Sequence, residues 1–258
     1  MTQFVFEIAA NSLGSALAAQ EGGADRIELC DNITDGGTTP SYGTLVETRE
    51  RVRIPIYVLI RPRAGDFCYD AGEIDAMLRD IETCVSVGCD GVVIGALDVQ
   101  GDIDKVVCRA LIAAAGQLGV TFHRAFDAVR DQDSALETIV ELGCERVLTS
   151  GGEASALAGA KRIASFVKQA DSRIDVMAGA GLDANNIREV AVRSTAREFH
   201  GSASAIRSSL MLYRNACLTG LEVNWRQTDT NIVRAMVNAL RGHENNDIAV
   251  ERPKNQLW

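Results

Sequence analysis

The feature that most constrains the fold of this chain is a regular alternation of short apolar segments with longer amphipathic ones. Eight segments read as strands, and neighbouring starts are separated by the length of one strand, one helix and two loops; they are residues 4–9, 26–31, 54–62, 91–98, 120–127, 146–152, 173–181 and 197–203. Apolar side chains recur with the i, i+3, i+4 and i+7 spacing of amphipathic helices in residues 12–23, 73–88, 102–119 and 133–143.

Repeated strand–helix units predict an α/β fold with a parallel sheet, and eight units are the number that closes a (β/α)8 TIM barrel. An open doubly wound sheet is the alternative. No linker or run of charge divides the chain, so we expect a single domain over residues 1–258. Its barrel core spans about 4–203, and an irregular C-terminal extension over 204–258 contains one helix near 229–241 and a polar tail.

Charge and cysteine content exclude several classes of protein. A net charge of -9 argues against a nucleic-acid partner or an anionic membrane, because either would need a basic face. The apolar runs are too short for a transmembrane helix, and the first residues do not resemble a signal peptide, so we expect a cytoplasmic protein. Seven cysteines without a C-x-x-C motif indicate neither a disulfide scaffold nor a zinc site.

Polar residues occur inside segments that otherwise read as buried strands. If the large apolar residues of each strand face the helices, alternation sends five charged or imidazole side chains into the barrel: Glu7, Glu28, Arg61, His123 and His200. They lie in the middle or C-terminal part of their strands, where barrel enzymes hold their active sites. A buried unpaired charge costs roughly several kcal/mol, so these groups must pair with one another or with a ligand. We predict them as catalytic residues; a purely structural salt-bridge layer is the alternative.

Small residues near the ends of the last three strands are candidates for anion binding. Ser150 and Gly151 end the sixth strand segment, Gly179 and Gly181 end the seventh, and Ser202 lies in the eighth. Backbone N–H groups at such turns bind anions, and the last two loops are the usual phosphate position in barrels. Glycines also end strands and cap turns. The sequence therefore predicts a small anionic ligand here, and it contains no motif for an organic cofactor.

Several long motifs follow one another along the chain: GGADRIELCDNITDGGTTPSYG (22–43), IRPRAGDFCYD (60–70), VTFHRAFD (120–127), RVLTSGG (146–152), MAGAGL and NN (within 177–186) and FHGSA (199–203). Together they resemble the CutC copper-homeostasis family, and the resemblance runs from Phe4 to about Asn215. It implies a cytoplasmic TIM barrel that forms a homo-oligomer and that is linked with copper tolerance through Cu(I) binding.

The resemblance also implies a copper site, in which a cysteine near the end of each of the first two strands is a proposed ligand. Cys30 stands at the second of these positions, but Ala9 occupies the first and offers no ligand atom. One thiolate with distant imidazoles is a poor Cu(I) site unless Cys68, a second subunit or a small thiol assists. Cys30 is therefore the predicted metal ligand, with its family partner missing.

Three functions follow from these observations. The first is a copper-homeostasis protein that binds Cu(I) within the barrel. The second is an enzyme for a small anionic or phosphorylated metabolite, in which Arg61 and the glycine loops hold the anion, His123 or His200 moves protons, and Glu7 or Glu28 orients an imidazole or acts as base. The third is a scaffold whose polar interior is structural only. No motif specifies a reaction.

Overall fold

The computed structural model describes residues 4–215, 217 and 223–242, and in it eight parallel strands close into a barrel. The strands are β1 (Val5–Ala10), β2 (Arg26–Leu29), β3 (Ile56–Leu59), β4 (Gly91–Ile94), β5 (Gly119–Phe122), β6 (Arg146–Thr149), β7 (Asp175–Gly179) and β8 (Glu198–Gly201). They follow one another in chain order, and β1 pairs with both β2 and β8. This closure confirms the predicted TIM barrel and excludes the open sheet.

Helices surround the barrel in the described part of the chain. They are α1 (Leu13–Gly22), α2 (Tyr42–Arg51), α3 (Ala71–Val87), α4 (Lys105–Ala115), α5 (Gln132–Leu142), α6 (Ala160–Ala170), α7 (Ile187–Ser194) and α8 (Thr230–Arg241). Helix α8 corresponds to the helix predicted near 229–241. It contacts both α1 and α7, so it completes the outer ring although the sequence analysis placed it in an extension beyond the barrel.

The segment between β8 and α8 carries a two-stranded antiparallel sheet of β9 (Ser204–Arg207) and β10 (Trp225–Thr228). The predicted polar tail beyond residue 242 lies outside the described residues. Over the described ranges, none of the helices combines the length and the apolar character needed to cross a bilayer.

Local signals explain why some helices were predicted and others were not. Helix α3 begins at a capping box, in which the Asp70 carboxylate accepts from the Glu73 N–H and the Glu73 carboxylate accepts from the Asp70 N–H. Helix α2 was not predicted because it is mostly polar. Only Leu45 and Thr48 are buried along it, so its apolar periodicity is faint.

The main apolar core lies between the strands and the helices. Phe6, Ile27, Phe122 and Phe199 are fully buried there, each on the outer face of its strand. Since side chains alternate along a strand, the residues between them point into the barrel. This alternation is what collects polar groups from separate strands in one interior.

Candidate functional site

A layer of buried ion pairs crosses the barrel near the N-terminal ends of its strands. Arg26 Nη2 lies 2.7 Å from Glu198 Oε2, and Arg146 Nε lies 2.9 Å from the same oxygen. Arg26 also forms an ion pair with Glu7. The Tyr57 ring lies against both guanidinium groups, with its centroid 5.1 Å from the Arg26 carbon and 5.0 Å from that of Arg146. These contacts form a layer beneath the site, and we call Arg26, Arg146, Glu198 and Tyr57 its floor.

The residues of the floor were not predicted, although the sequence contains a signal for them. Arg26 precedes Glu28 by two residues, and Glu198 precedes His200 by two residues. Residues two apart on a strand share a face, so these charges had to enter the barrel with the predicted residues. Part of the polar interior is thus a layer of ion pairs, in which Glu7 is the one member of the five predicted residues.

Above the floor, an imidazole joins two carboxyl groups from neighbouring strands. His200 Nδ1 lies 2.8 Å from Glu7 Oε1, and His200 Nε2 lies 3.5 Å from Glu28 Oε2. Register explains the arrangement, because β1 pairs Glu7 with His200 on one side and Ala9 with Glu28 on the other. The structure thus brings three of the predicted catalytic residues into one Glu7–His200–Glu28 chain.

The carboxyl groups of Glu7 and Glu28 differ in charge state. Burial works against ionisation of Glu7, but the Arg26 charge and contacts with His200 outweigh it and lower the pKa of Glu7 to about 2. Burial raises the pKa of Glu28 to about 7, only partly opposed by His200. Burial also opposes protonation of His200, yet the carboxylates of Glu28 and Glu7 raise its pKa. One carboxyl group is fixed as an anion, and the other is able to exchange a proton near neutral pH.

A cavity of about 400 Å³ lies over the Glu7, His200 and Glu28 side chains, at the C-terminal ends of the strands. Four of the five predicted catalytic residues line it, and the fifth, Glu7, lies beneath His200. Among the other predicted residues, the cavity lining includes Cys30, Gly181 and Ser202.

Arg61 is held at the cavity by backbone carbonyl groups. Its Nη1 donates to the carbonyls of Asp35 and Gly37 at 3.0 and 2.7 Å, and its Nη2 donates to that of Gly65 at 2.8 Å. The side chain is buried and lies near the Tyr69 hydroxyl. No acceptor meets hydrogen-bond geometry at its Nε–H, and no carboxylate of the described chain forms an ion pair with it. Its positive charge at the barrel mouth is therefore uncompensated.

His123 is buried and holds a neutral ring. Its Nδ1 accepts a hydrogen bond from the Ala125 N–H at 3.1 Å, which places the ring proton on Nε2. Burial, reinforced by the charge of Arg61, lowers the pKa of His123 to about 3. The Nε2–H has no acceptor among the described residues, and an unsatisfied buried donor costs about 1–3 kcal/mol. His123 is thus a hydrogen-bond donor that lacks a partner.

The N–H groups of the loop after β6 already donate hydrogen bonds to acceptors within the protein. The Asp127 carboxylate accepts from the Ser150 N–H at 3.0 Å and from the Gly152 N–H at 3.1 Å, while the Gly151 N–H donates to the Thr149 hydroxyl. The sequence analysis extended the fifth strand to Asp127, but β5 ends earlier and a 3-10 turn, Arg124–Ala128, carries this carboxylate across to the loop. The Ser150 N–H is therefore bound to an anion of the chain itself, and the Gly151 N–H is bound to a neutral hydroxyl.

The loop after β7 is arranged differently. Gly179 is packed within the strand, where an added Cβ would lie 2.6 Å from a Leu148 methyl group. Gly181 follows Ala180, whose φ of 84° is strained for a residue with a side chain. The N–H groups of Gly181 and Leu182 donate to no acceptor in the part of the chain that the structure describes. They remain available at the cavity, as does Ser202 from the next loop.

The residues around Cys30 do not fit a copper ion. Cys30 lies in a small apolar cluster inside the barrel with Ala9, Tyr57, Leu59 and Val93. Burial raises the pKa of its thiol well above the ordinary value, and the neighbouring acidic groups add to this, whereas Cu(I) prefers thiolate ligands. Within the described ranges, no three His, Cys, Asp or Glu side chains are grouped as a metal site. Cys68 is not among the cavity-lining residues.

A family model and curated proteins match this chain over most of its length. The CutC family model matches residues 4–205. A CutC family protein of Xanthomonas campestris pv. campestris (strain B100) is 53% identical over 235 residues, which cover 91% of this chain and 98% of that protein. The human copper homeostasis protein cutC homolog is 46% identical over 239 residues, covering 90% of this chain and 88% of that protein.

A solved structure agrees with these matches. The crystal structure of a CutC protein from Streptococcus agalactiae superposes with a TM-score of 0.74 at 32% identity, covering 78% of this chain and 99% of that one. Family model, sequence identity and fold therefore converge, and the chain belongs to the CutC family.

Proposed function

We propose that the barrel mouth binds a small anionic metabolite and acts on it by proton transfer. The observation that carries this proposal is the uncompensated charge of Arg61. The buried arginines of the floor, Arg26 and Arg146, are both paired with carboxylates, whereas Arg61 is bound only by neutral carbonyl groups. A buried charge without a counter-ion is costly, and an anionic ligand in the cavity would offset that cost.

The Glu7–His200–Glu28 chain supports the catalytic half of the proposal. Glu28 lines the cavity and its carboxyl group titrates near neutral pH, as a general acid or base requires. Glu7 stays ionised and holds the His200 ring in place from below. A structural layer alone would not need a proton-exchanging carboxyl group at the open end of the barrel.

Loss of the Arg61 charge should weaken anion binding. We expect phosphate and 2-phosphoglycolate to raise the melting temperature of the wild type, and Arg61→Gln to weaken their binding by at least about tenfold, since a charge-assisted contact is worth about 1.5–3 kcal/mol. Titration calorimetry and thermal shift measure both effects. Arg61→Lys, which keeps the charge but loses the guanidinium geometry, should bind with intermediate affinity.

The control for this experiment is Arg173→Gln, which removes an arginine paired with Glu137 on the outer surface. It should bind both anions like the wild type. The proposal fails if neither anion stabilises the wild type, or if Arg61→Gln binds them equally well.

Copper(I) binding inside the barrel is the alternative function that membership of a family with copper-homeostasis proteins suggests. The donor set does not favour it, because Cys30 is a protonated buried thiol beside Ala9. We expect wild type and Cys30→Ser to bind Cu(I) anaerobically with the same weak affinity. Ala9→Cys should bind about tenfold more tightly or better, because Ala9 and Cys30 lie in one cluster inside the barrel and two thiolates would then share the ion.

The double variant Ala9→Cys/Cys30→Ser is the matched control and should lose the gained affinity. Tight binding by the wild type that disappears in Cys30→Ser would instead establish the copper site and displace the first proposal.

A further inference from the structure

Two donors at the cavity point to the kind of atom that the ligand presents. The Nε–H of Arg61 and the Nε2–H of His123 are buried, belong to cavity-lining side chains and have no acceptor within the described residues. The ring of His123 cannot accept at Nε2, because its Nδ1 already takes the Ala125 N–H. Both groups therefore require an acceptor, and an oxygen atom of the ligand would satisfy them.

Phe67 links the two donor side chains. Its ring centroid lies 5.0 Å from that of the His123 imidazole and 5.2 Å from the guanidinium carbon of Arg61. Phe67 is half-buried, belongs to the loop between β3 and α3, and lines the same cavity. Both nitrogen atoms are inaccessible to solvent in the structure, so a ligand oxygen would reach them only after a neighbouring side chain such as Phe67 had moved.

The cavity lining narrows the chemistry that follows binding. It includes no lysine, so an imine between the protein and a carbonyl compound has no amine to form it. The Cys30 thiol is packed against apolar side chains, and the Ser202 hydroxyl donates to the Ser204 hydroxyl rather than to a base. Among these lining residues, Glu28 and His200 remain as groups that exchange protons.

We infer that the ligand is a carbonyl compound with an anionic group, that its carbonyl oxygen binds between His123 and Arg61, and that Glu28 removes a proton from the adjacent carbon. This inference rests on the proposed function and specifies its substrate class and reaction. The N–H groups of Gly181 and Leu182 are suited to the anionic group, since they are free at the loop after β7.

The step balances without a cofactor. The C–H bond breaks, its proton moves to the Glu28 carboxylate, and its electron pair forms a carbon–carbon double bond. The carbonyl π electrons move to oxygen, where the two N–H donors stabilise the developing negative charge. Return of the proton to the same carbon regenerates the carbonyl compound or its epimer. In an α-hydroxy carbonyl compound, return of the proton to the former carbonyl carbon, with transfer of the hydroxyl proton to the other oxygen, gives the isomer.

Exchange of carbon-bound hydrogen with solvent tests the inference. The wild type is incubated in D₂O with dihydroxyacetone phosphate, ribulose 5-phosphate or pyruvate, and loss of the α-proton signal is followed by NMR. The phosphorylated and carboxylated compounds distinguish the two sources of anionic charge. We expect exchange with at least one of them, and a rate about 10³-fold lower in Glu28→Gln with retained binding of 2-phosphoglycolate.

Removal of the His123 Nε2–H donor should also slow the exchange of the α-proton. His123→Ala should lower the exchange rate by about 10²- to 10³-fold, as expected for the loss of an oxyanion donor, while Arg173→Gln should leave it unchanged. Phosphoglycolohydroxamate, which mimics an enediolate, should bind the wild type more tightly than 2-phosphoglycolate does, and His123→Ala should remove that preference.

The outcomes separate this inference from the proposed function. If the anions bind but none of the compounds exchanges its α-proton, the inference is wrong and the proposed anion site stands. Exchange that persists in Glu28→Gln would overturn the role of Glu28 as the base. If the wild type binds none of these anions, the proposed function falls together with the inference.

Discussion

Replacement of Glu198 by glutamine should lower the free energy of unfolding by about 3–5 kcal/mol. Glu198 Oε2 binds both Arg26 and Arg146, and all three side chains are buried. Loss of the carboxylate would leave two guanidinium groups facing each other with less compensation, and the Arg146 charge already acts unfavourably on Arg26. Removal of one partner from a buried ion pair is destabilising for this reason, even where the pair as a whole adds little.

Chemical denaturation at pH 7 measures the effect. The matched control is Glu189→Gln, which removes the carboxylate of an exposed pair with Arg193 on α7. Such a pair contributes less than about 1 kcal/mol, so the control should unfold almost like the wild type. Equal losses in the two variants would show that the floor of the barrel is no more stabilising than a surface pair.

Replacement of Glu28 by glutamine should stabilise the protein at alkaline pH. The folded state raises the pKa of Glu28 from 4.5 to about 7, so between these values the folded state binds more protons than the unfolded one. Stability then falls as the pH rises through this window, by about 3 kcal/mol in total, and stays low above it. A neutral amide at position 28 carries no such penalty.

The groups that face Glu28 set the shape of this pH profile. His200 acts in the same direction, since its pKa is raised and its contribution is lost as the pH rises through the folded value. Glu7 acts in another window, because its folded pKa of about 2 makes it stabilising above about pH 4.5 and less so in acid. Arg26 stays charged throughout and lowers the pKa of Glu28 slightly.

Unfolding by denaturant at pH 5, 6, 7 and 8 checks this prediction. The wild type should lose stability across the series, and Glu28→Gln should lose distinctly less. Parallel profiles for the two proteins would mean that Glu28 is ionised throughout and does not exchange a proton near neutral pH.

The alternation of side chains along strands explains how much of the fold and of the candidate site was predictable from the sequence. The eight strand positions followed from apolar segments at regular spacing, and the closed barrel confirms them. Because inward and outward positions alternate strictly, phasing each strand by its apolar residues placed Glu7, Glu28 and His200 in one interior before any contact was known. The same rule, applied two residues earlier on β2 and β8, would have found the floor.

Loop contacts were not predictable in this way. Arg61 was placed inside correctly, but its partners are carbonyl groups of two loops, and backbone carbonyls have no sequence signature. The N–H groups of Ser150 and Gly151 were assigned to an external anion, yet the nearest anion comes from Asp127 through a turn at the end of β5. Such pairings depend on where chain segments meet in three dimensions, which periodicity does not encode.

The floor affects how protons at the site would exchange with bulk water. Arg26, Arg146, Glu198 and Tyr57 fill the barrel near the N-terminal ends of its strands, whereas the cavity lies at the C-terminal ends. A ligand bound at the C-terminal ends of the strands would therefore also restrict the access of water to the cavity. The protons of Glu28 and His200 would then exchange with bulk solvent more slowly while the ligand is bound than when the cavity is empty.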